Sequence, residues 1–151
     1  FFKQKTAYEI MPSLVGSEMC IRDSMLADSW ISTNSFTRSV IFPQDIPFMT
    51  THDIDTLFNF CIPENSVILV PSRHFDGTNA LIRTPSDIMT TRYDEGSYRS
   101  QFDSAVIKTS HYSLALIQRI MLDIDSRDDV NFAIQKNMKP VICEKLKEIF
   151  Y

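Results

Sequence analysis

Residues 67–83 read VILVPSRHFDGTNALIR, and this stretch decides the fold. Residues 67–70 and 79–83 are short runs rich in branched apolar side chains, as expected for buried strands. The intervening residues 71–78 contain proline, serine, aspartate and glycine, which favour turns. We therefore predict two neighbouring strands. The loop between them is either an ordinary hairpin connection or a place where Gly77 lets the backbone approach a ligand.

On both sides of this stretch, apolar runs alternate with helical patterns. Further strands are predicted at residues 39–42 and 113–123, and helices at residues 26–31, 51–60, 97–109 and 141–150. Thr84 and Pro85 predict the start of another short helix, and Ser126 opens a helix through a capping box. Strands that are apolar on both faces and alternate with helices predict an α/β sheet covered by helices on both sides.

Composition limits the class of protein. The sequence is 44% hydrophobic with a formal net charge of −4, which is typical of one globular domain and argues against a nucleic-acid-coating surface. No apolar run is long enough to cross a bilayer. Cys20, Cys61 and Cys143 lack the spacing of metal ligands, so we expect reduced thiols in a cytoplasmic protein.

Residues 1–24 are set apart from the rest. Their sequence, FFKQKTAYEIMPSLVGSEMCIRDS, has neither helical nor strand periodicity and lacks the features of a signal peptide. It resembles the in-frame translation of sequencing-adapter DNA. We therefore expect a non-native segment over residues 1–24 and take residues 25–151 as the domain.

Aspartates follow two of the predicted strands. Residues 121–126 read MLDIDS, and in a strand Asp123 and Asp125 would point the same way, roughly 7 Å apart at Cα. Asp45 ends another apolar run, and ligands of open α/β sheets bind at such strand ends. Like charges this close repel unless a cation lies between them, so we predict a Mg²⁺ site. A turn at Asp45 and a helix cap at Asp125 are the alternatives.

A second candidate site lies at the start of the predicted helix 97–109. Gly96 and Ser97 would place backbone amides and a hydroxyl at a helix N-terminus, which suits a phosphate or a carboxylate. Arg92, Arg99 and His111 are candidate partners for such an anion. Each of them is equally compatible with an ordinary solvated side chain.

Four motifs together carry a family resemblance. They are QDIP at residues 44–47, FDGTNAL at 75–81, Tyr93 followed by Gly96 and Ser97, and LDID at 122–125. In order and spacing the chain resembles the 2-phospho-L-lactate guanylyltransferase family of coenzyme F420 biosynthesis, including its phosphoenolpyruvate and 3-phospho-D-glycerate relatives. The likeness runs from about residue 39 to about residue 130, and GTNAL is its most specific part. It implies a three-layer α/β nucleotidyltransferase sheet, glycosyltransferase-A-like and Rossmann-like, with the N-terminal part missing.

The resemblance also implies the chemistry. GMP would pass from GTP to a three-carbon phosphorylated acid with release of pyrophosphate. Mg²⁺ would be held by Asp45, Asp123 and Asp125, while Thr78, Gly96 and Ser97 would bind the acceptor. It implies no catalytic base and no cofactor besides Mg²⁺, with GTP as co-substrate, and it leaves a homodimer open.

Two departures from the family pattern concern the acceptor. Asp94 stands where the family often has glycine, and Gln101 stands where histidine is frequent. The family's N-terminal nucleotide-binding elements are also missing, so we expect an inactive C-terminal portion of the enzyme. The alternatives are a molybdopterin- or sugar-type nucleotidyltransferase of the same fold, or a non-catalytic binding domain.

Overall fold

The computed structural model describes residues 17–60, 63–93 and 96–151, with side chains from residue 21 onward. In chain order the elements are α1 (Ser17–Thr33), β1 (Ser39–Ile41), α2 (Thr51–Asn59), β2 (Ser66–Pro71), β3 (Thr78–Thr84), α3 (Ser97–Lys108), β4 (His111–Leu114), α4 (Arg127–Lys136) and α5 (Pro140–Phe150). The four strands form one mixed sheet in the order β1-β3-β2-β4.

The predicted strand pair is the centre of this sheet. β2 and β3 are antiparallel, with Leu69 opposite Leu81, and both strands are buried along nearly their whole length. The hairpin reading of residues 71–78 is thus confirmed. β1 pairs antiparallel with β3 and β4 pairs parallel with β2 at the two edges. Consequently the ends of β1, β2 and β4 and the beginning of β3 lie at the same edge of the sheet.

Side-chain alternation along β2 builds the layers. Val67 and Leu69 pack with Leu81 and with Ala105 of α3 on one face. Ile68 and Val70 point to the other face, where they join a cluster that includes Leu57 of α2. Helices therefore cover both faces, and the predicted three-layer α/β arrangement is confirmed.

Two further contacts complete the domain. Phe48 and Leu122 pack with Ala133 of α4 and Cys143 of α5 in a separate apolar cluster. On the other side, Arg83 of β3 is fully buried and forms an ion pair with Asp28 of α1. This ion pair ties α1 to the central hairpin.

Helix α1 is longer than predicted. The sequence indicated a helix over residues 26–31, whereas α1 begins at Ser17 and so runs through the end of the segment assigned to adapter DNA. Asp28 of α1 is held by its ion pair with Arg83 of β3. A local sequence pattern cannot reveal such a contact between distant residues. Residues 1–16 and Cys61 lie outside the described residues.

The predicted strand over residues 113–123 is wrong in its extent. β4 ends at Leu114, and the N–H groups of Ile120 and Met121 both donate to the carbonyl of Ile117 in a turn. The side chain of Arg119 reaches Asp53 from this turn, with Nη2 2.6 Å from Oδ1. Asp123 and Asp125 therefore follow an irregular segment, and their positions come from the loop and not from strand alternation.

The predicted short helix after Thr84 and Pro85 is also wrong. Residues 85–89 form turns in which the N–H of Ile88 donates to the carbonyl of Pro85. The carbonyl of Met89 accepts a hydrogen bond from Nη1 of the buried Arg83, 3.1 Å away. This long side-chain contact takes the place of a continuing helical hydrogen bond. The other predicted helices are confirmed within one or two residues at their ends.

Candidate active site

Loops from distant parts of the sequence meet at the edge where β1, β2 and β4 end. Asp45 follows β1, Asp76 lies in the β2–β3 loop, and Asp123 and Asp125 follow the turn after β4. The backbone N–H of Ile124 donates to the carbonyl of Asp45 at 3.1 Å, which joins two of these loops directly. The sheet topology thus brings together the carboxylates that the sequence singled out.

The electrostatics of this edge are those of crowded like charges. Burial, together with the charges of Asp125 and Asp45, raises the pKa of Asp123, although hydrogen bonds from its own backbone and from Asn79 act in the opposite direction. Desolvation and the charges of Asp45, Asp129 and Asp76 raise the pKa of Asp125. A group whose neighbours oppose its ionised form is a natural place for a compensating cation.

The three predicted metal ligands do not form a closed cage. Within residues 17–60, 63–93 and 96–151, no three or more histidine, cysteine or acidic side chains are arranged to hold a metal ion. Mg²⁺ is usually held by one or two carboxylates, with waters and substrate phosphates completing its octahedron. The hard oxygen donors here fit such an open site. The assignment of Asp45, Asp123 and Asp125 as metal ligands stays a prediction.

The predicted acceptor residues Thr78 and Ser97 do lie together. The backbone N–H of Thr78 donates to Oγ of Ser97 at 3.1 Å, and both side chains are buried. Gly96, and not Ser97, is the N-cap of α3, and its φ of 70° lies in the left-handed region that favours glycine. The hydroxyl of Ser97 is therefore directed to β3 and does not cap its own helix.

Open space adjoins the acidic edge. A cleft of about 420 Å³ is lined by Asp23 and Ser24 of α1, by residues 41–45 and by Tyr93. Asp45 is thus next to a cleft in the size range of small-molecule sites.

Three other residues that the sequence singled out, Gln101, Arg99 and His111, make contacts that do not involve the acidic edge. Gln101 is fully buried and donates through Nε2 to the carbonyl of Arg92 at 2.6 Å, so it supports the segment before α3. Arg99 is exposed and pairs with Asp103 one helical turn away. His111 is opposite Ser66 at the far end of the sheet, away from the acidic edge. Asp94 and Glu95 lie outside the described residues.

Sequence reasoning missed two arginine–aspartate pairs at this edge. Arg119 contacts both carboxylate oxygens of Asp53, and Arg73 contacts Asp129 at 2.6 Å. Burial raises the pKa of Asp53, but hydrogen bonds from Arg119 and Thr50 lower it by more. Burial likewise raises the pKa of Asp129, and hydrogen bonds from Arg73 and Ser126 lower it by more. The available signal was an aspartate three residues after each N-cap, which marks a capping box but not its arginine.

Asn79 belongs to the GTNAL motif that the sequence singled out, but the contacts of its side chain were not predicted. Its buried amide donates through Nδ2 to the carbonyl of Ile120 at 3.0 Å and also hydrogen-bonds Asp123. The side chain therefore connects β3 to the loop that carries Asp123.

The α/β fold carries an acidic edge, and comparison with known proteins gives the family. The model of the family described as "Guanylyl transferase CofC like" matches residues 23–142. The chain belongs to this family of nucleotidyltransferases.

Two curated relatives share the same name. A phosphoenolpyruvate guanylyltransferase of Sphaerobacter thermophilus is 30% identical over 86 residues, which cover 57% of this chain and 41% of the relative. A phosphoenolpyruvate guanylyltransferase of Conexibacter woesei is 30% identical over 96 residues, which cover 63% of this chain and 43% of the relative. The matched region thus spans about two fifths of the length of these relatives.

In the described part of the chain, no helix combines the length and the apolar character that a membrane crossing requires.

Proposed function

We propose that residues 25–151 carry the metal-binding and acceptor-binding side of a guanylyltransferase. The reaction would transfer GMP from GTP to 2-phospho-L-lactate, phosphoenolpyruvate or 3-phospho-D-glycerate and release pyrophosphate, as a cytoplasmic step of coenzyme F420 biosynthesis. The observation that carries the proposal is the family match over residues 23–142, together with the acidic edge that lies within it. Both curated relatives are named for phosphoenolpyruvate, which makes this acid the first acceptor to test.

The acidic edge would hold the divalent ion. Asp45, Asp123 and Asp125 supply hard oxygen donors. Burial and like-charge repulsion raise the pKa of Asp123 and of Asp125, and a bound cation would oppose both effects. When bound, Mg²⁺ would neutralise charge on the phosphates of GTP. The cleft beside Asp45 offers room for a ligand next to this carboxylate, and the part of its lining within residues 25–151 consists of residues 41–45 and Tyr93.

Thr78, Gly96 and Ser97 would bind the anionic end of the acceptor. The start of α3 presents the positive end of a helix dipole, which favours a phosphate or a carboxylate, while the N–H groups of Tyr98 and Arg99 already donate to the carbonyls of Asp76 and Gly96. The Thr78–Ser97 hydrogen bond fixes the start of β3 against this turn. No side chain is assigned as a base, because the attacking phosphate oxygen is already ionised.

Binding is tested on the 151-residue chain. Mn²⁺, used in place of Mg²⁺ and followed by electron paramagnetic resonance, should bind the unchanged chain and be lost in D123N. Asp103→Asn is the matched control, because Asp103 is exposed on α3 and pairs with Arg99. Retained Mn²⁺ affinity in D123N would remove Asp123 from the metal site and favour a non-catalytic binding domain.

Turnover is tested by pyrophosphate release from GTP with each of the three acids. The 151-residue chain should be inactive, whereas a protein of the relatives' full length that carries residues 25–151 unchanged should be active. Release from the 151-residue chain would overturn the expected inactivity. Activity of the longer protein with a sugar phosphate or a molybdopterin, but with none of the three acids, would overturn the acceptor assignment.

A further inference from the structure

Helices α2 and α4, which follow the candidate metal aspartates, begin in the same way. Helix α2 follows Asp45, and the N–H and hydroxyl of its N-cap, Thr50, donate to Oδ2 of Asp53 at 2.8 and 2.6 Å. Helix α4 follows Asp125, and Ser126 makes the same two contacts with Asp129 at 2.9 and 2.6 Å. The aspartate at the third helical position thus closes a capping box in both helices.

Each of these aspartates also binds an arginine from another loop. Arg119, from the turn before Asp123, places Nε 2.8 Å from Oδ2 and Nη2 2.6 Å from Oδ1 of Asp53. Arg73, from the β2–β3 loop, contacts Asp129 at 2.6 Å, and its guanidinium lies 4.7 Å from the ring centre of Phe132. A capping box needs only its serine or threonine and its carboxylate, so capping does not account for the arginines.

Each of the two ion pairs connects the start of a helix to another loop of the site. The Arg119–Asp53 pair joins the start of α2, just after the Asp45 loop, to the loop that carries Asp123. The Arg73–Asp129 pair joins the start of α4, just after Asp125, to the loop that leads to Thr78. Both aspartates are almost completely buried, at 2% and 3% exposure, whereas Arg119 and Arg73 are 37% and 27% exposed, so the carboxylate side of each contact is shielded from water.

We propose that Arg73 and Arg119 are positioning residues, which act through Asp129 and Asp53 to hold the acidic edge in a cation-binding arrangement. The inference rests on the proposed function, because it takes the acidic edge as the divalent-ion site. Neither arginine touches the metal in this proposal. Each keeps a loop that bears a carboxylate or an acceptor residue at a fixed place relative to its neighbour.

An electrostatic role and a positioning role of the arginines predict opposite changes in cation affinity when an arginine is removed. Without Arg73, the charge of Asp129 would be less compensated, and this charge already acts on Asp125. A purely electrostatic role therefore predicts tighter binding of a cation in R73M. A positioning role predicts weaker binding despite the added negative potential. A role confined to stability predicts a lower unfolding midpoint with unchanged affinity.

The test measures the Kd of Mn²⁺ by electron paramagnetic resonance for the 151-residue chain, R73M, R119M and the control R99M. Arg99 is 82% exposed and pairs only with Asp103 along α3 among the contacts described for it. Removing a residue that orients metal ligands typically lowers affinity tenfold or more, so R73M and R119M should each bind Mn²⁺ about tenfold more weakly. R99M should bind like the unchanged chain.

Circular dichroism spectra and unfolding midpoints accompany each Kd, and a second arginine keeps the test decisive if one variant fails to fold. Unchanged or tighter Mn²⁺ binding in the folded variants would overturn the positioning role. Failure of the unchanged chain to bind Mn²⁺ would overturn the proposed metal site itself, so the two failures are distinguishable.

Discussion

The ion pair between Arg83 and Asp28 provides a sharp test of what holds α1 to the sheet. The guanidinium of Arg83 is fully buried, with Nη1 2.8 Å from Oδ2 and Nη2 2.5 Å from Oδ1 of Asp28. Its remaining described contact is with the carbonyl of Met89 at 3.1 Å. Replacing Asp28 by alanine would leave a buried positive charge without its counter-ion.

The expected loss of stability is large. Breaking a buried pair by removing one partner typically costs about 3–5 kcal/mol. The carboxylate of Asp28 is 17% exposed, so water can partly replace it, and the lower end, about 3 kcal/mol, is expected for Asp28→Ala. A domain of this size is usually stable by only about 5–15 kcal/mol, so this loss is readily measured.

Urea unfolding provides the assay. Circular dichroism follows the whole fold, and the fluorescence of Trp30, the single tryptophan, follows α1. Asp103→Ala is the control, since its partner Arg99 is 82% exposed and such pairs contribute about 1 kcal/mol or less.

A double substitution separates the charge from the packing. In D28A/R83M the buried charge is gone, and an apolar side chain of similar length replaces it. We expect the double variant to be more stable than D28A, since apolar replacement of a whole buried pair is often neutral or stabilising. The reasoning is refuted if D28A loses under about 1 kcal/mol, or if D28A/R83M is no more stable than D28A.

Three further results are expected. Burial and like charge raise the pKa of Asp123, so its ionised carboxylate opposes folding at neutral pH. Asp123→Asn should therefore increase the free energy of unfolding by about 0.5–2 kcal/mol at pH 7. Equal or lower stability of this variant would contradict the reasoning. Because the pKa values of Asp53 and Asp129 are lowered, both carboxylates stabilise the fold above the usual aspartate range near pH 4. The raised pKa values of Asp123 and Asp125 act in the opposite direction, so the urea midpoint of the unchanged chain is compared with those of D53N and D129N. Each difference should shrink as the pH decreases from about 6 to about 3, and a difference that does not depend on pH would argue against that pair. Ser126→Ala should cost about 1 kcal/mol in urea unfolding because it removes the N-cap of α4, whereas Ser104→Ala, within α3, should be near neutral.

Local patterns in the sequence were enough to predict the central hairpin. Residues 67–70 and 80–82 are apolar on both faces because α2 covers one side of the sheet and α3 the other. The capping box at Ser126 was also predictable, because its hydrogen bonds join residues three apart. In both cases the information lies within a few neighbouring residues.

The features that could not be predicted depend on contacts between residues that are distant in the sequence. Arg119 bonds Asp53 across 66 positions and Arg73 bonds Asp129 across 56, so no local pattern reveals either pair. The same long contact of Arg119 accompanies the early end of β4, where the sequence predicted a longer strand. The acidic edge was predicted from residue types and strand ends, whereas the arrangement that supports it comes from these pairs.

The strand order β1-β3-β2-β4 has a consequence for folding. β2 and β3 are neighbours in the sequence and can pair early, whereas β1 and β4 join them only after long loops have closed. The acidic edge needs the ends of both outer strands, so it should be completed late. Core substitutions such as Leu81→Ala should therefore slow refolding, while Ile120→Ala, in the turn before Asp123, should mainly speed unfolding in stopped-flow measurements. In that order of events, the β2–β3 hairpin forms before the acidic edge is assembled.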